Sequence, residues 1–123
     1  ESGRDQQHVQ MRLAFLACAA EIAWNQDIDL YGAFDNRLYK GFEYTARYMS
    51  GEEVPHVQYI TWFGKPVYGP EISSKQREKI CPAWERAYHH YRRSYVVVPP
   101  LRNVYFTVKK HSFLDCETNI SCL

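Results

Sequence analysis

Nowhere does this sequence approach the roughly 18 consecutive apolar residues that a membrane-crossing helix requires, so a membrane is not an expected partner. Charge of one sign is scarce as well: 15 Lys and Arg stand against 14 Asp and Glu, a net charge of +1. A surface that coats nucleic acid needs a concentrated basic footprint, so nucleic acid is not expected either, and any anionic ligand must be met by a local cluster. The four cysteines, Cys18, Cys81, Cys116 and Cys122, never fall in a C-x-x-C spacing. That absence removes the signatures of a zinc knuckle and of a dithiol redox pair. His89 and His90 are adjacent, so they diverge on a helix, and Asp27 and Asp29 are not followed by a twelve-residue calcium pattern; no metal is expected. Internal repeats and low-complexity segments are missing too. There is no initiating Met and no signal peptide, from which a processed or excised piece is expected.

What is present fits one globular domain. A chain of 123 residues buries roughly two-thirds of the surface that its unfolded form exposes. Ten tyrosines, three tryptophans and six phenylalanines are many for this length, and rings with polar edges suit ligand surfaces such as sugar clefts as well as cores. An even number of cysteines allows two disulfides in three pairings; Cys116 with Cys122 would close a small loop, and Cys18 reads equally as a buried thiol on the first helix. Asn119-Ile120-Ser121 is a glycosylation sequon, which together with the cysteines points to a secreted protein.

Periodicity predicts a helix from Asp5 to about Asn25, with Val9, Arg12 or Leu13, Leu16, Ala19 or Ala20, and Ala23 or Trp24 recurring along one stripe and Asp5 as N-cap or first-turn acid. A polar, Gly-containing turn follows. Phe34, Leu38, Phe42, Thr45 and Met49 form a second stripe that stops at Ser50-Gly51. The short connection makes these two helices an antiparallel hairpin. Residues 52–70, punctuated by Gly64, Pro66, Gly69 and Pro70, read as a long aromatic loop with at most one short strand. "ISSKQREKI" reads as a short helix, and "CPAWERAYHHYRRSY" as a longer one with Pro82 at its first position. After Val96 the chain is expected to be an extended, proline-containing, irregular tail over residues 96–123.

The amino terminus, "ESGRDQQHVQM", raises the functional question. Arg4 and His8 lie four apart and share a helix face, with Asp5 and Gln7 able to orient them. The plainer reading is a solvated first turn; the sharper one is a helix end lining a cleft. His90 and Tyr91 form a second cluster, read equally as part of an amphipathic helix with tyrosines in the core. Tyr59, Trp62 and Trp84 are candidates for stacking on sugar rings, though an aromatic on an apolar stripe serves a core as well.

Four blocks carry a family resemblance. "ESGRDQQHVQM", "EIAWNQDIDLY", "DNRLYKGFEYTARYMSGEEVP" and "AYHHYRRSY" occur in the order, and at about the gaps, found in the carboxyl-terminal half of an alginate-lyase-like catalytic domain, which residues 1–95 resemble. The resemblance implies an all-α fold, antiparallel helical hairpins forming part of an incomplete (α/α) toroid. It also implies β-elimination on uronic-acid polysaccharides, a reaction without a cofactor. A proton leaves the carbon beside the carboxylate and the glycosidic oxygen at the next carbon departs, so the site must neutralise the carboxylate and stabilise the enolate-like intermediate. The catalytic residues it implies are Arg4, His8, His90 and Tyr91, with His89 standing where the family more usually has Asn, and the substrate-binding residues are Gln7, Tyr59, Trp62 and Trp84. Asp27 replaces the glycine of the family's "N-Q-G-I-D-L-Y".

The family's domain is longer than this chain and takes an Asn-His pair from an earlier hairpin absent here. Two readings follow: a lyase, or part of one, whose exposed hairpin faces a second chain or a homo-oligomer covers; or a secreted carbohydrate-binding or protein-interaction module on a truncated lyase scaffold. An acidic polysaccharide is the expected partner on the first.

Overall fold

The computed structural model describes residues 1–94. The expected tail of residues 96–123, with Cys116, Cys122, Lys109-Lys110 and the sequon, lies outside the described residues. The described chain is all-α, with three helices: α1 (Gln6–Trp24), α2 (Ala33–Met49) and α3 (Ala83–Ser94). Extended pairing among the described residues is confined to one isolated antiparallel bridge between Ile60 and Pro66, in the segment expected to hold at most a short strand.

Helix α1 starts where an N-cap belongs. Asp5 is extended (φ −172°, ψ 163°) and its carboxylate accepts the His8 backbone N–H at 2.9 Å, satisfying one of the donors that the first turn leaves open. The buried stripe is Gln6, Gln10, Leu13, Ala17 and Ala20, which corrects the expected one: Leu16 is 57 % exposed. The reason is polar. Gln6 Nε2 donates to the Ser73 carbonyl (2.8 Å) and Gln10 Nε2 to that of Lys79 (2.7 Å), while Gln10 Oε1 accepts from the Cys81 N–H and the Trp84 indole, both at 2.9 Å. Side chains whose hydrogen bonds are met can be buried at little cost, so these two glutamines turn α1 by their own attachments. Cys18 is exposed rather than a buried thiol, and Cys18 and Cys81 are both free.

Helix α1 and helix α2 end with the same device. Ile28 N–H reaches the Ala23 carbonyl (3.0 Å) and Asp27 N–H that of Trp24 (3.1 Å), while Glu52 N–H reaches Arg47 (3.0 Å) and Gly51 N–H Tyr48 (3.1 Å). This is the Schellman pattern, which needs a left-handed residue at its hinge. Gly51 supplies it with φ 101° and Asp27 with φ 59°.

The start of α2 differs from the expected stripe. Phe34, Asp35 and Asn36 have left-handed backbone, φ 52° to 56°, so Phe34 swings outward and is 84 % exposed. From there Phe42, Thr45, Ala46 and Tyr48 are buried and Leu38 and Met49 partly so. "ISSKQREKI" forms turns instead of a helix: Arg77 N–H bonds to Ser74 and Lys79 N–H to Gln76, and Gln76 is left-handed. Its carbonyls go to α1, since the Gln6 N–H also takes Lys75 (3.0 Å). Pro82 stands one residue ahead of α3.

Helices α1 and α2 pack antiparallel, with Leu13 against Gly41, as the hairpin reading expected. Helix α3 runs parallel to α1: Trp84 meets Gln10, Arg86 meets Cys18 and His90 meets Trp24 in succession. It is antiparallel to α2, pairing Trp84 with Phe42 and Tyr91 with Tyr39. Leu13, Ala17, Ala20, Tyr31, Phe42, Ala46, Trp84, Ala87 and Tyr91 form the core between them. The start of α1, the end of α2 and residues 50–82 therefore share one end of the molecule.

Candidate functional site

At that shared end the first turn of the chain builds a charged cluster. Asp5, buried as N-cap, points its carboxylate at the His8 ring, with Nδ1 2.8 and 2.7 Å from its two oxygens. Burial alone would push the Asp5 carboxyl up; the His8 backbone N–H, the His8 ring and the Arg4 guanidinium outweigh it and hold the carboxyl below its ordinary value. A carboxylate on Nδ1 fixes that nitrogen as the donor and turns Nε2, on the far side of a ring 31 % exposed, into the acceptor. Arg4 is half-exposed and lies 3.8 Å from the same carboxylate through Nε. Arg4 and His8 are thus gathered on one carboxylate. Arg4 lies in the turn ahead of α1 rather than on the helix with His8, so it is Asp5, and not the expected shared helix face, that gathers them.

Glu1 completes the cluster. Its carboxylate sits 2.6 Å from Arg12 Nη2 and 3.8 Å from Arg4 Nη1, so two guanidinium groups already share an anion there. Neither Glu1 nor Arg12 stood out in the sequence. Gln7 is exposed on the adjoining turn, and its neighbours Gln6 and Gln10 are buried and structural. Around the cluster, Ser2 Oγ lies 3.5 Å from His56 Nδ1, Tyr44 donates its hydroxyl to the Pro55 carbonyl at 2.8 Å, and Gly3 packs so close to Tyr68 that an added Cβ would stand 3.0 Å from the Tyr68 Cβ. Burial raises the Tyr44 hydroxyl above its usual range.

The other expected residues lie elsewhere. His90 is stacked on Tyr31 (ring centroids 3.6 Å, planes 15° apart) and meets the edge of Trp24 at 4.8 Å. Tyr91 is fully buried and donates its hydroxyl to the Tyr31 carbonyl at 3.2 Å. From His8 to Trp24 along α1 is about 24 Å at 1.5 Å per residue, so the structure does not bring His90 and Tyr91 to Arg4 and His8. Trp84 is a core residue. Tyr59 and Trp62 are 64 % and 94 % exposed on the connecting segment.

At the far end, Glu21, Trp24, Arg86, His89, His90 and Arg93 line a cavity of about 220 Å³. Tyr31 donates to Glu21 at 2.9 Å, and burial followed by that carboxylate drives the phenol well above its ordinary value. No group of three or more His, Cys, Asp or Glu side chains among the described residues is placed to hold a metal.

An all-α hairpin whose first helix opens on a guanidinium and a carboxylate-held imidazole is the class that these features define. The alginate lyase family model matches residues 1–55, which supports an alginate-lyase-like family over that segment. The match takes in α1, α2 and the Arg4–His8 cluster; it is shorter than the expected 1–95 and leaves α3, with His90 and Tyr91, outside. No significant match was found among curated proteins or among solved structures.

Proposed function

We propose that the chain is the uronate-binding part of a polysaccharide lyase, a hairpin and a half of an incomplete toroid, acting outside the cell on an acidic glycan. Arg4 neutralises the sugar carboxylate. His8, with Nδ1 held by Asp5, takes the proton from the neighbouring carbon at Nε2, so that the glycosidic oxygen departs and a double bond forms. The observation that carries this reading is the Asp5–His8 contact beside Arg4, inside the segment matched by the family model. Tyr59 and Trp62 are offered as stacking surfaces from the same end of the molecule.

One observation favours the non-catalytic module instead: His90 and Tyr91 pack on Tyr31, Trp24 and Tyr39 rather than on Arg4 and His8, which leaves a single cluster to bind and no second one to complete proton return. The test is to incubate the full chain with a panel of uronate polysaccharides and follow the ultraviolet absorbance of unsaturated products, with titration calorimetry alongside. Lysis lost in Arg4→Ala and His8→Ala supports the lyase. Asp5→Asn keeps an N-cap while removing the charge behind the imidazole, so activity should fall roughly 10- to 100-fold, and stability at neutral pH should fall modestly as well, since the folded state holds the Asp5 carboxyl below its ordinary value. Heat without product selects the binding module, and neither heat nor product sinks both.

A further inference from the structure

The Glu1 carboxylate is held between two guanidinium groups and is satisfied by one of them. Its oxygens divide the work: Oε1 lies 2.6 Å from Arg12 Nη2, whereas Oε2 stands 3.8 Å from Arg4 Nη1. The longer contact is no hydrogen bond, and Oε2 is buried with no hydrogen-bond partner among the described residues. A buried acceptor left unmet is costly. The backbone of Glu1 is anchored independently of that side chain, its carbonyl accepting the Arg4 N–H at 2.7 Å and the Asp5 N–H at 3.3 Å.

Arg12 extends this arrangement toward the imidazole. It follows His8 by four residues, one turn along the same face of α1. The Arg12 and Arg4 side chains are 67 % and 45 % exposed, so both guanidinium groups are open to a ligand. A planar carboxylate can offer one oxygen to each of two guanidinium groups, and such charge-assisted pairing is strong and directional. For a sugar acid the same pairing meets the central demand of the elimination, neutralising the carboxylate beside the carbon that loses its proton. The Glu1–Arg12 pair in the way lies near the surface, where ion pairs contribute little to stability. A ligand therefore displaces the Glu1 side chain at small cost, without moving its backbone.

We propose that Arg4 and Arg12 together form the seat of the sugar carboxylate, and that the Glu1 carboxylate occupies this seat until a uronate takes its place. The inference rests on the uronate-binding reading above and adds to it a second guanidinium and a built-in competitor. Titration calorimetry with tetrasaccharides of mannuronate, guluronate, glucuronate and galacturonate tests it, in the full chain carrying His8→Ala so that the probe stays uncut. In that background Glu1→Gln should tighten binding about two- to fivefold, the strength of a surface pair, and Arg12→Gln should weaken it about tenfold or more. Glu85→Gln, which removes the same charge from α3, should leave affinity within about twofold. A neutral mannose tetrasaccharide should distinguish none of the variants, and their circular dichroism should match that of the parent chain. A uronate tetrasaccharide that binds Glu1→Gln no more tightly than the parent, or is indifferent to Arg12→Gln, overturns this inference and leaves Arg4 and His8 as the site. No heat with any uronate in any variant overturns it together with the uronate reading.

Discussion

Asp27 and Gly51 occupy equivalent hinges at two helix ends, and only one is the residue that the hinge prefers. A non-glycine residue in left-handed backbone is strained, Asp less than most. Asp27→Gly should therefore raise stability by roughly 0.5 kcal/mol, part of the relief being offset by the freer unfolded chain; the urea midpoint of the variant measures it. His90 makes a pH-dependent contribution. Burial holds its ring below the ordinary value of 6.5, against the pull of Asp29 and Glu21 and with help from Arg93. The folded state thus prefers the neutral ring, so this stability is present in full above about pH 6.5 and is lost as pH falls from there through the folded-state value. In His90→Gln the unfolding free energy should change less between about pH 7 and about pH 5 than it does in the parent chain.

At the scale of elements, the stitching of residues 72–82 to α1 rests on side chains. Gln10 serves the Lys79 carbonyl, the Cys81 N–H and the Trp84 indole at once. Gln10→Leu leaves those three groups buried and unmet, and should cost about 2 to 4 kcal/mol in chemical denaturation. The same residue explains what was legible. The extents of α1 and α3 and the stop of α2 at Ser50-Gly51 follow from periodicity and caps, which are local. The buried stripe of α1 was misjudged because hydropathy favours Leu16 over glutamine, and only partners some seventy residues away make Gln10 an interior side chain. "ISSKQREKI" carried helix-forming residues, yet α1 claims its carbonyls and Gln76 turns left-handed. Two glutamines four apart, in phase with Leu13, Ala17 and Ala20, were the signal available. Separation of His90 from His8 follows from the parallel course of α3, a tertiary fact that spacing along the chain does not encode.

For the whole molecule, the up-down-up arrangement gives it two unlike poles. One gathers Glu1, Arg4, Asp5, His8 and Arg12 with the exposed Tyr59 and Trp62; the other holds Trp24, Tyr31 and His90 around a small cavity. Because α1 and α3 run the same way, Glu1 and Ser94 lie at opposite poles, separated by about the 28 Å length of α1. Immobilisation chemistry inherits that polarity. A support attached at the pole of Trp24 and Tyr31 leaves the guanidinium and imidazole facing the bathing solution, whereas attachment at the pole of Arg12 presses them against the matrix and masks them from a passing polymer.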